Sequence, residues 1–426
     1  MAMRPAFVVL AAAALLADAS CADAKELAVP AGQGTLAGAI ASAEPGDVLR
    51  LGPGDYNGSV LVDKTISVVG DGSARVVGPG SGTVISITAG GARIEGLVVT
   101  GSGNRLDELD SGIAIAKGAD GVQVISNRVE GNLIGVDVQG GKDALVRGNQ
   151  IANRVDIHPS ERGSGLYVWN APGLVAEDNT VRGGRDGIFV SSSHRAVYRN
   201  NRFYDLRFAF HSMYANNIEV TGNVSEGNEL GFAFMYSNVV IARDNLSRGD
   251  QTHGLFLNSV NKAVVERNAV RDGGEKCLFI YNANRNRIAD NVFEGCELGV
   301  HFTAGSEGNV LTGNAFIGNQ TQVKNVGTRW FEWSDKGRGN YWSDHVAFDI
   351  DGDGIADAPY RPNDTIDLVT WRQPMAKLLL GSPAVQLIRW SQSRFPGLLP
   401  GGVIDSHPLT HPGDAGPRLS REASLP

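Results

Sequence analysis

The sequence predicts an all-β protein: a right-handed parallel β-helix with coils of about 22 residues, closed by a mixed, partly helical C-terminal block. Three observations carry this. Asparagines recur at 127, 149, 179, 201, 223, 245, 268, 291 and 314, in steps of 22 or 23 with one of 30. A second series, Gly112, Gly135, Gly165, Gly187, Ala209, Gly231, Gly254, Cys277 and Gly299, keeps nearly the same steps. A strand-like run follows each of these anchors (Gly231-Phe-Ala-Phe-Met235), and another precedes each Asn (Ile218-Glu-Val-Thr-Gly-Asn223). Such a period, with strands and no room for helices, is a solenoid of stacked coils. A leucine-rich repeat shares the period, but its L-x-x-L-x-L framework is absent.

The elements follow in order. Arg4 precedes an uncharged apolar run from Ala6 to Ala17, then the small-residue sites Ala17-Asp18-Ala19 and Ala22-Asp23-Ala24. Residues 1–24 therefore read as a secretory signal peptide, and the mature chain as exported. No later run is long and apolar enough to span a membrane. Residues 25–327 form the β-helix, roughly a dozen coils at one coil per ~22 residues. The first coils, from about Leu27 to Thr100, are less regular. The 30-residue step is one coil with a loop inserted within Ile151 to Ser164. The recurrent Asn forms a ladder at one corner, its amide bonding to neighbouring coils, and Asn tolerates turn conformations. The Gly anchors suit a crowded corner. Residues 328–410 form the C-terminal block, in which Pro374 to Phe395 is an amphipathic element broken near Gly381 to Pro383. It either caps the solenoid or docks on a partner. Residues 411–426 read as a disordered tail.

Composition agrees. Gly is 55 of 426 residues while Pro is only 17, which suits many tight turns and excludes collagen. A net charge of −8 gives no footprint for nucleic acid. Three Cys cannot make a disulfide scaffold. Cys277 and Cys296 lie near neighbouring coils. They are either a disulfide, which export permits, or two buried thiols that could serve as accessory copper ligands.

The function is legible in the outward columns. One and three residues after each anchor the side chains are apolar, so the second and fourth positions face out. The second-position column reads Ala114, Asp137, Tyr167, Phe189, His211, Ala233, Phe256, Phe279 and His301. The fourth reads Ala116, Gln139, Trp169, Ser191, Met213, Met235, Asn258, Tyr281 and Thr303. An outward face this aromatic marks a ligand groove or a partner surface. Met213 and Met235 fall on adjacent coils about 5 Å apart, with His211 about 7 Å along the strand. Two thioethers and an imidazole suit a soft ion, Cu(I) above all. His253 sits just before an anchor and could lean toward the same region. The plain alternative is that the methionines pad a protein-binding patch.

Two further clusters stand out. Asp156, His158 and Arg162 in the inserted loop offer the base and acid of a polysaccharide lyase or epimerase, a chemistry common among β-helices. Asp349, Asp351, Asp353 and Asp357 take positions 1, 3, 5 and 9 of a calcium loop, although Tyr360 replaces the Glu of position 12 in an EF-hand.

The segments Gly339-Asn-Tyr-Trp-Ser-Asp344, Asp349 to Tyr360, Arg361-Pro-Asn-Asp364, Leu378-Leu-Leu-Gly-Ser-Pro383-Ala-Val-Gln and Pro400-Gly-Gly-Val-Ile-Asp-Ser-His-Pro408, with His211-Ser-Met213-Tyr and Phe234-Met235-Tyr-Ser-Asn, resemble the NosD family. The resemblance covers nearly all of the mature chain. It implies a periplasmic protein that is no enzyme and that works with an ABC transporter's membrane subunit and ATPase. It implies that copper is accepted from a chaperone lipoprotein and used to load the copper clusters of nitrous oxide reductase. Under it, Met213 and Met235 become a transient Cu(I) site, and the element from Leu378 to Trp390 a docking segment for the transporter. A metal-free docking scaffold and a uronan-active enzyme are the alternatives.

Overall fold

In a computed structural model the chain is a right-handed parallel β-helix. The structure describes residues 24–417, apart from 304, 328, 364, 380–381 and 396–400, so residues 1–23 of the expected leader lie outside it. Three parallel sheets of 13, 12 and 13 strands run the length of the solenoid. The 12-stranded sheet carries the anchors, and its central strands are the longest, such as Phe208–Met213, Leu230–Met235 and His253–Asn258.

The register follows the repeat. Ile188, Phe210, Phe232, Leu255 and Leu278 face one another on successive coils and are buried, as are Val190, Phe234, Leu257 and Ile280 two residues on. The anchors are crowded rather than conformationally special. A Cβ at Gly187 would lie 2.4 Å from the Ala209 carbonyl oxygen, and one at Gly254 2.3 Å from Val270. Packing between coils, not a left-handed backbone, explains glycine there.

The Asn ladder is continuous. Each side-chain oxygen accepts from both the backbone and the side-chain N–H of the preceding Asn, as Asn245 does from Asn223 (3.0 and 3.0 Å). Each amide also donates inward, Asn245 to the Val220 carbonyl at 2.8 Å. The ladder asparagines are not themselves left-handed. That strain falls on the residue before, for example Asp244 (φ 53°) ahead of Asn245 and Arg267 (φ 54°) ahead of Asn268. The ladder also runs one rung beyond the sequence reading, to Asn340, which the longer step of 26 residues from Asn314 had hidden. There it ends on Asp405, whose Oδ2 accepts from the Asn340 backbone (2.7 Å) and from the Trp342 indole (2.8 Å). Trp342 stacks between Phe316 (4.3 Å) and Tyr360 (4.5 Å) and covers the last coil.

The structure adds four features to the sequence reading. A helix, Thr35–Ser42, caps the first coil; it buries Leu36 and Ile40, and Lys64 donates to the carbonyls of Ile40, Ala41 and Ala43 at its end. The strand Tyr341–Trp342 still belongs to a solenoid sheet, past the boundary drawn at 327. The C-terminal block holds a helix before the predicted element, Thr365–Arg372, which continues into a tight turn Pro374–Leu379 and a second helix Pro383–Arg394 capped by Ser382. The tail is placed as far as 417, with the Gly416 N–H donating to the Asp290 carbonyl at 2.8 Å; residues 418–426 lie outside the described residues. Cys277 and Cys296 form a buried disulfide. Gly273 makes it possible, since a Cβ there would sit 2.6 Å from the Cys296 sulfur. The disulfide removes both thiols as accessory copper ligands.

Candidate functional site

Strand pairing brings the two methionines together. Met213 and Met235 are register partners on adjacent strands of the 12-stranded sheet, flanked by Ser191 on one side and Asn258 on the other. Both are half-buried. His211 shares the strand Phe208–Met213 with Met213 and lies two residues before it, hence on the same face.

His211 is held by contacts the sequence reading did not anticipate. Its ring stacks on Phe208 (4.6 Å, 21°) and meets Phe189 edge-on (5.1 Å). Its Nδ1 lies 3.3 Å from the Asp186 Oδ2. Arg207 grips the same carboxylate with two hydrogen bonds (2.9 and 2.7 Å), and its guanidinium lies over the Phe208 ring (4.5 Å). Burial pushes the Asp186 carboxyl up, but the bonds from His211 and Arg207 outweigh this and hold it below its usual range. A carboxylate at Nδ1 fixes the orientation of the ring. The opposite nitrogen is Nε2. It is buried with no partner among the described residues, in a residue only 8% exposed. A carboxylate behind a histidine whose outer nitrogen is free is the arrangement that orients imidazole ligands on metals. A sequence signal existed: Asp186 is the one carboxylate in its register column, with Phe208, Leu230, His253, Lys276, Leu298 and Thr321.

His253 is not brought to this group. It pairs with Leu230 at the start of its strand, while Asn258, the register partner of Met235, lies at the far end. Five residues of strand separate the two positions by about 17 Å. His253 instead packs edge-on against Phe256 (5.6 Å) and Phe279 (5.4 Å), and burial lowers its pKa. His301 stacks on the other flank of Phe279 (4.8 Å), its pKa pushed down to about 4 by burial and by Lys324 and Lys276. The second-position column is thus two aromatic runs, Tyr167–Phe189–His211 and Phe256–Phe279–His301, interrupted by the small Ala233 on the coil of Met235. Asp137 precedes Tyr167 in this column; its buried carboxyl is pushed up to about 7 by desolvation, although Gln139 donates to it at 2.7 Å.

The inserted loop assembles no acid–base pair. Asp156 pairs with Arg154 (2.7 Å), His158 caps the short turn Pro159–Glu161, and Arg162 donates to the carbonyls of Ile157 and Val155. Each of the three side chains serves the loop itself. In the acidic turn, ligand oxygens of Asp349, Asp351 and Asp353 lie within 4.8 Å of one another. Asp349 accepts the N–H groups of Gly352, Asp353 and Gly354, and the last of these leads in holding its pKa down. Asp357 stands outside this group, accepting from the Ile350 N–H at 3.0 Å.

On the C-terminal helical elements Met375, Leu378, Leu379, Leu387 and Phe395 are exposed. The cap of the solenoid is the cluster around Trp342, so these apolar side chains are not used in closing the core. No helix among the described residues is long and apolar enough to cross a membrane.

Comparison with known proteins places this geometry. The profile of the family described as "Periplasmic copper-binding protein (NosD)" matches residues 153–347, and one for a right-handed β-helix region matches residues 73–232. A protein named "Probable ABC transporter binding protein NosD" from Stutzerimonas stutzeri is 37% identical, over 84% of this chain and 86% of its own length. One of the same name from Pseudomonas aeruginosa is 36% identical, over 89% of this chain and 94% of its own. Among solved structures, the alginate lyase AlyF-OU02 in complex with G6 superposes with a TM-score of 0.57 at 12% identity, covering 73% of this chain and 85% of that one. An exopolygalacturonase from Yersinia enterocolitica gives 0.51 at 11%, covering 67% and 78%. At such identities the structural likeness speaks to the fold alone.

Proposed function

The chain belongs to the NosD family, and we propose that it accepts Cu(I) on the outward face of its solenoid and passes it on for the copper centres of nitrous oxide reductase. It would act in the periplasm as a non-enzymatic accessory protein. Its partners would be an ABC transporter, through membrane subunit and ATPase, and a copper-chaperone lipoprotein. One observation carries the reading: two thioethers in register on neighbouring coils, beside a histidine whose Nε2 has no partner among the described residues while Asp186 holds its Nδ1. Thioether and neutral imidazole are soft donors suited to Cu(I), and thioethers release it readily, as a relay requires.

The test is an anaerobic Cu(I) competition titration of the mature protein beside Met213→Ala/Met235→Ala. Tight binding that is lost in the double variant is expected. No binding, or binding untouched by the change, overturns the copper reading and leaves the face as a metal-free docking surface.

The exposed Met375, Leu378, Leu379, Leu387 and Phe395 favour the C-terminal helices as the segment that docks on the transporter. Leu378→Glu/Leu387→Glu is expected to abolish co-purification with the transporter while leaving Cu(I) binding unchanged. The acidic turn is proposed as a calcium site. Calcium should raise Tm in the wild type but not in Asp349→Asn/Asp351→Asn, and an equal response in both would dismiss it.

A further inference from the structure

The chain carries a second row of asparagines, and its hydrogen bonds differ from those of the buried ladder. Asn216, Asn238, Asn261 and Asn284 stand on four successive coils, in the segment that joins the 12-stranded sheet to the next. Each side-chain oxygen accepts from the coil that follows. Asn216 and Asn238 accept from the amides of Asn238 and Asn261 (3.2 Å each), Asn261 from that of Asn284 (3.3 Å), and Asn284 from the Glu307 backbone N–H (2.7 Å). A buried rung uses both hydrogens of its amide, as Asn245 does toward the Val220 carbonyl and Asn268. In the outer row Asn238, Asn261 and Asn284 use one each. A primary amide has two, so one N–H per rung has no partner among the described residues. The row therefore presents donors, while its oxygens are engaged.

These three amides line an open cavity of about 580 Å³ together with Lys262, Arg285 and Glu307. Glu307 is the only acid in that lining, and it is paired with Arg329. The Lys262 and Arg285 side chains are exposed and have no ion pair or hydrogen bond among the described residues. They follow Asn261 and Asn284 in the chain, so their backbones lie on successive coils about 4.8 Å apart. Two like charges this close repel, and an anion between them relieves the repulsion. The whole chain has a net charge of −8, so the cavity is a local field of opposite sign to the rest.

We infer that this cavity binds carboxylates on an acidic segment of a partner protein. Three amide donors in line span about 10 Å at strand spacing, flanked by two cations. One small oxyanion fills a single step of such a row, whereas neighbouring Asp or Glu side chains of one segment meet several. Guanidinium and ammonium add charge-assisted hydrogen bonds to those of the amides. Asn216 and Asn238 follow Met213 and Met235 by three residues, so a partner held on the row stands beside the outward face of the 12-stranded sheet. The inference does not depend on the copper reading.

The test measures binding of a fluorescein-labelled hexaglutamate peptide to the full mature chain, by anisotropy at low ionic strength. The wild type should bind it. Lys262→Gln/Arg285→Gln should weaken binding about tenfold with Tm unchanged, since both side chains are exposed. Lys117→Gln/Lys142→Gln removes the same charge from exposed lysines on coils before the inserted loop and should stay within about twofold. No binding by the wild type, or an equal loss in both variants, overturns the inference. Inorganic phosphate should displace the peptide only in large excess; phosphate that binds as tightly as the peptide overturns the acidic segment as the ligand and makes the cavity a site for a free oxyanion. Cu(I) affinity should be the same in Lys262→Gln/Arg285→Gln as in wild type, which keeps a failure here distinct from a failure of the copper reading.

Discussion

Two corners of the same coil obey different rules. The inner corner repeats one residue type, from Asn127 to Asn340, and every member is buried. The corner after the 12-stranded sheet keeps one backbone conformation but changes residue from coil to coil, with Gly, Asn, Ser and Tyr in turn. At the first, the side chain makes the bonds that hold one coil to the next. At the second, the backbone makes them and the side chain is left to face solvent. Uniformity therefore marks the corner whose side chains hold the coils together, and variation marks the corner where the backbone alone does so.

The largest test of this contrast is Asn245→Ala. It strips a buried rung that accepts from Asn223 and donates to Val220 and Asn268. Several buried polar groups lose partners at about 1–3 kcal/mol each, so urea unfolding should show a loss of about 3–5 kcal/mol. A loss below about 1 kcal/mol would mean that the ladder is replaceable by water.

Next comes Asp250, an acid buried among Asn228, Ser225 and Ser247. Desolvation raises its pKa to about 6. A raised carboxyl favours the protonated fold. That stability is present below the unfolded value near 3.8 and is lost as pH rises through about 6, by about 2–3 kcal/mol at most. Asp250→Asn keeps an acceptor for Asn228 and removes the titration. Relative to wild type it should gain stability between pH 4 and 7 in parallel denaturation curves. A constant difference across that window would remove Asp250 as the cause.

The third effect is on the metal face. Asp186→Asn should weaken Cu(I) binding about 10- to 100-fold by freeing the His211 ring. It should also shift the pH dependence of binding, which a purely structural loss would not do. Equal affinity and pH profile in both proteins would separate Asp186 from the site. The smallest effect belongs to the variable corner: Ser259→Gly relieves a left-handed serine and should change stability by no more than about 1 kcal/mol in the same urea experiment.

Much of this was legible beforehand. The two series of anchors placed the coils, the buried columns and the register of Met213 with Met235, because a fixed period turns sequence distance into stacking. The helix Thr35–Ser42 escaped because a terminal coil has no neighbour to hold it to the period. Asn340 escaped because three extra residues lengthen its coil without breaking the ladder. The surroundings of His211 escaped for a different reason: Asp186 lies 25 residues away, and its carboxylate sits at the opposite end of the preceding strand from the residues one coil would align with the methionines.

By itself the sequence determined that this chain is a β-helix, which side chains face inward, and that thioethers and an imidazole share its outer face, since all three follow from periodicity and alternation. Only the tertiary structure decided which His211 nitrogen is free, that Asp405 ends the ladder, that Cys277 and Cys296 are bonded, that His253 stands apart from Met235, and which residues carry left-handed backbone. Those depend on where side chains meet across coils, and no spacing rule contains the rotamers and turns that bring them there.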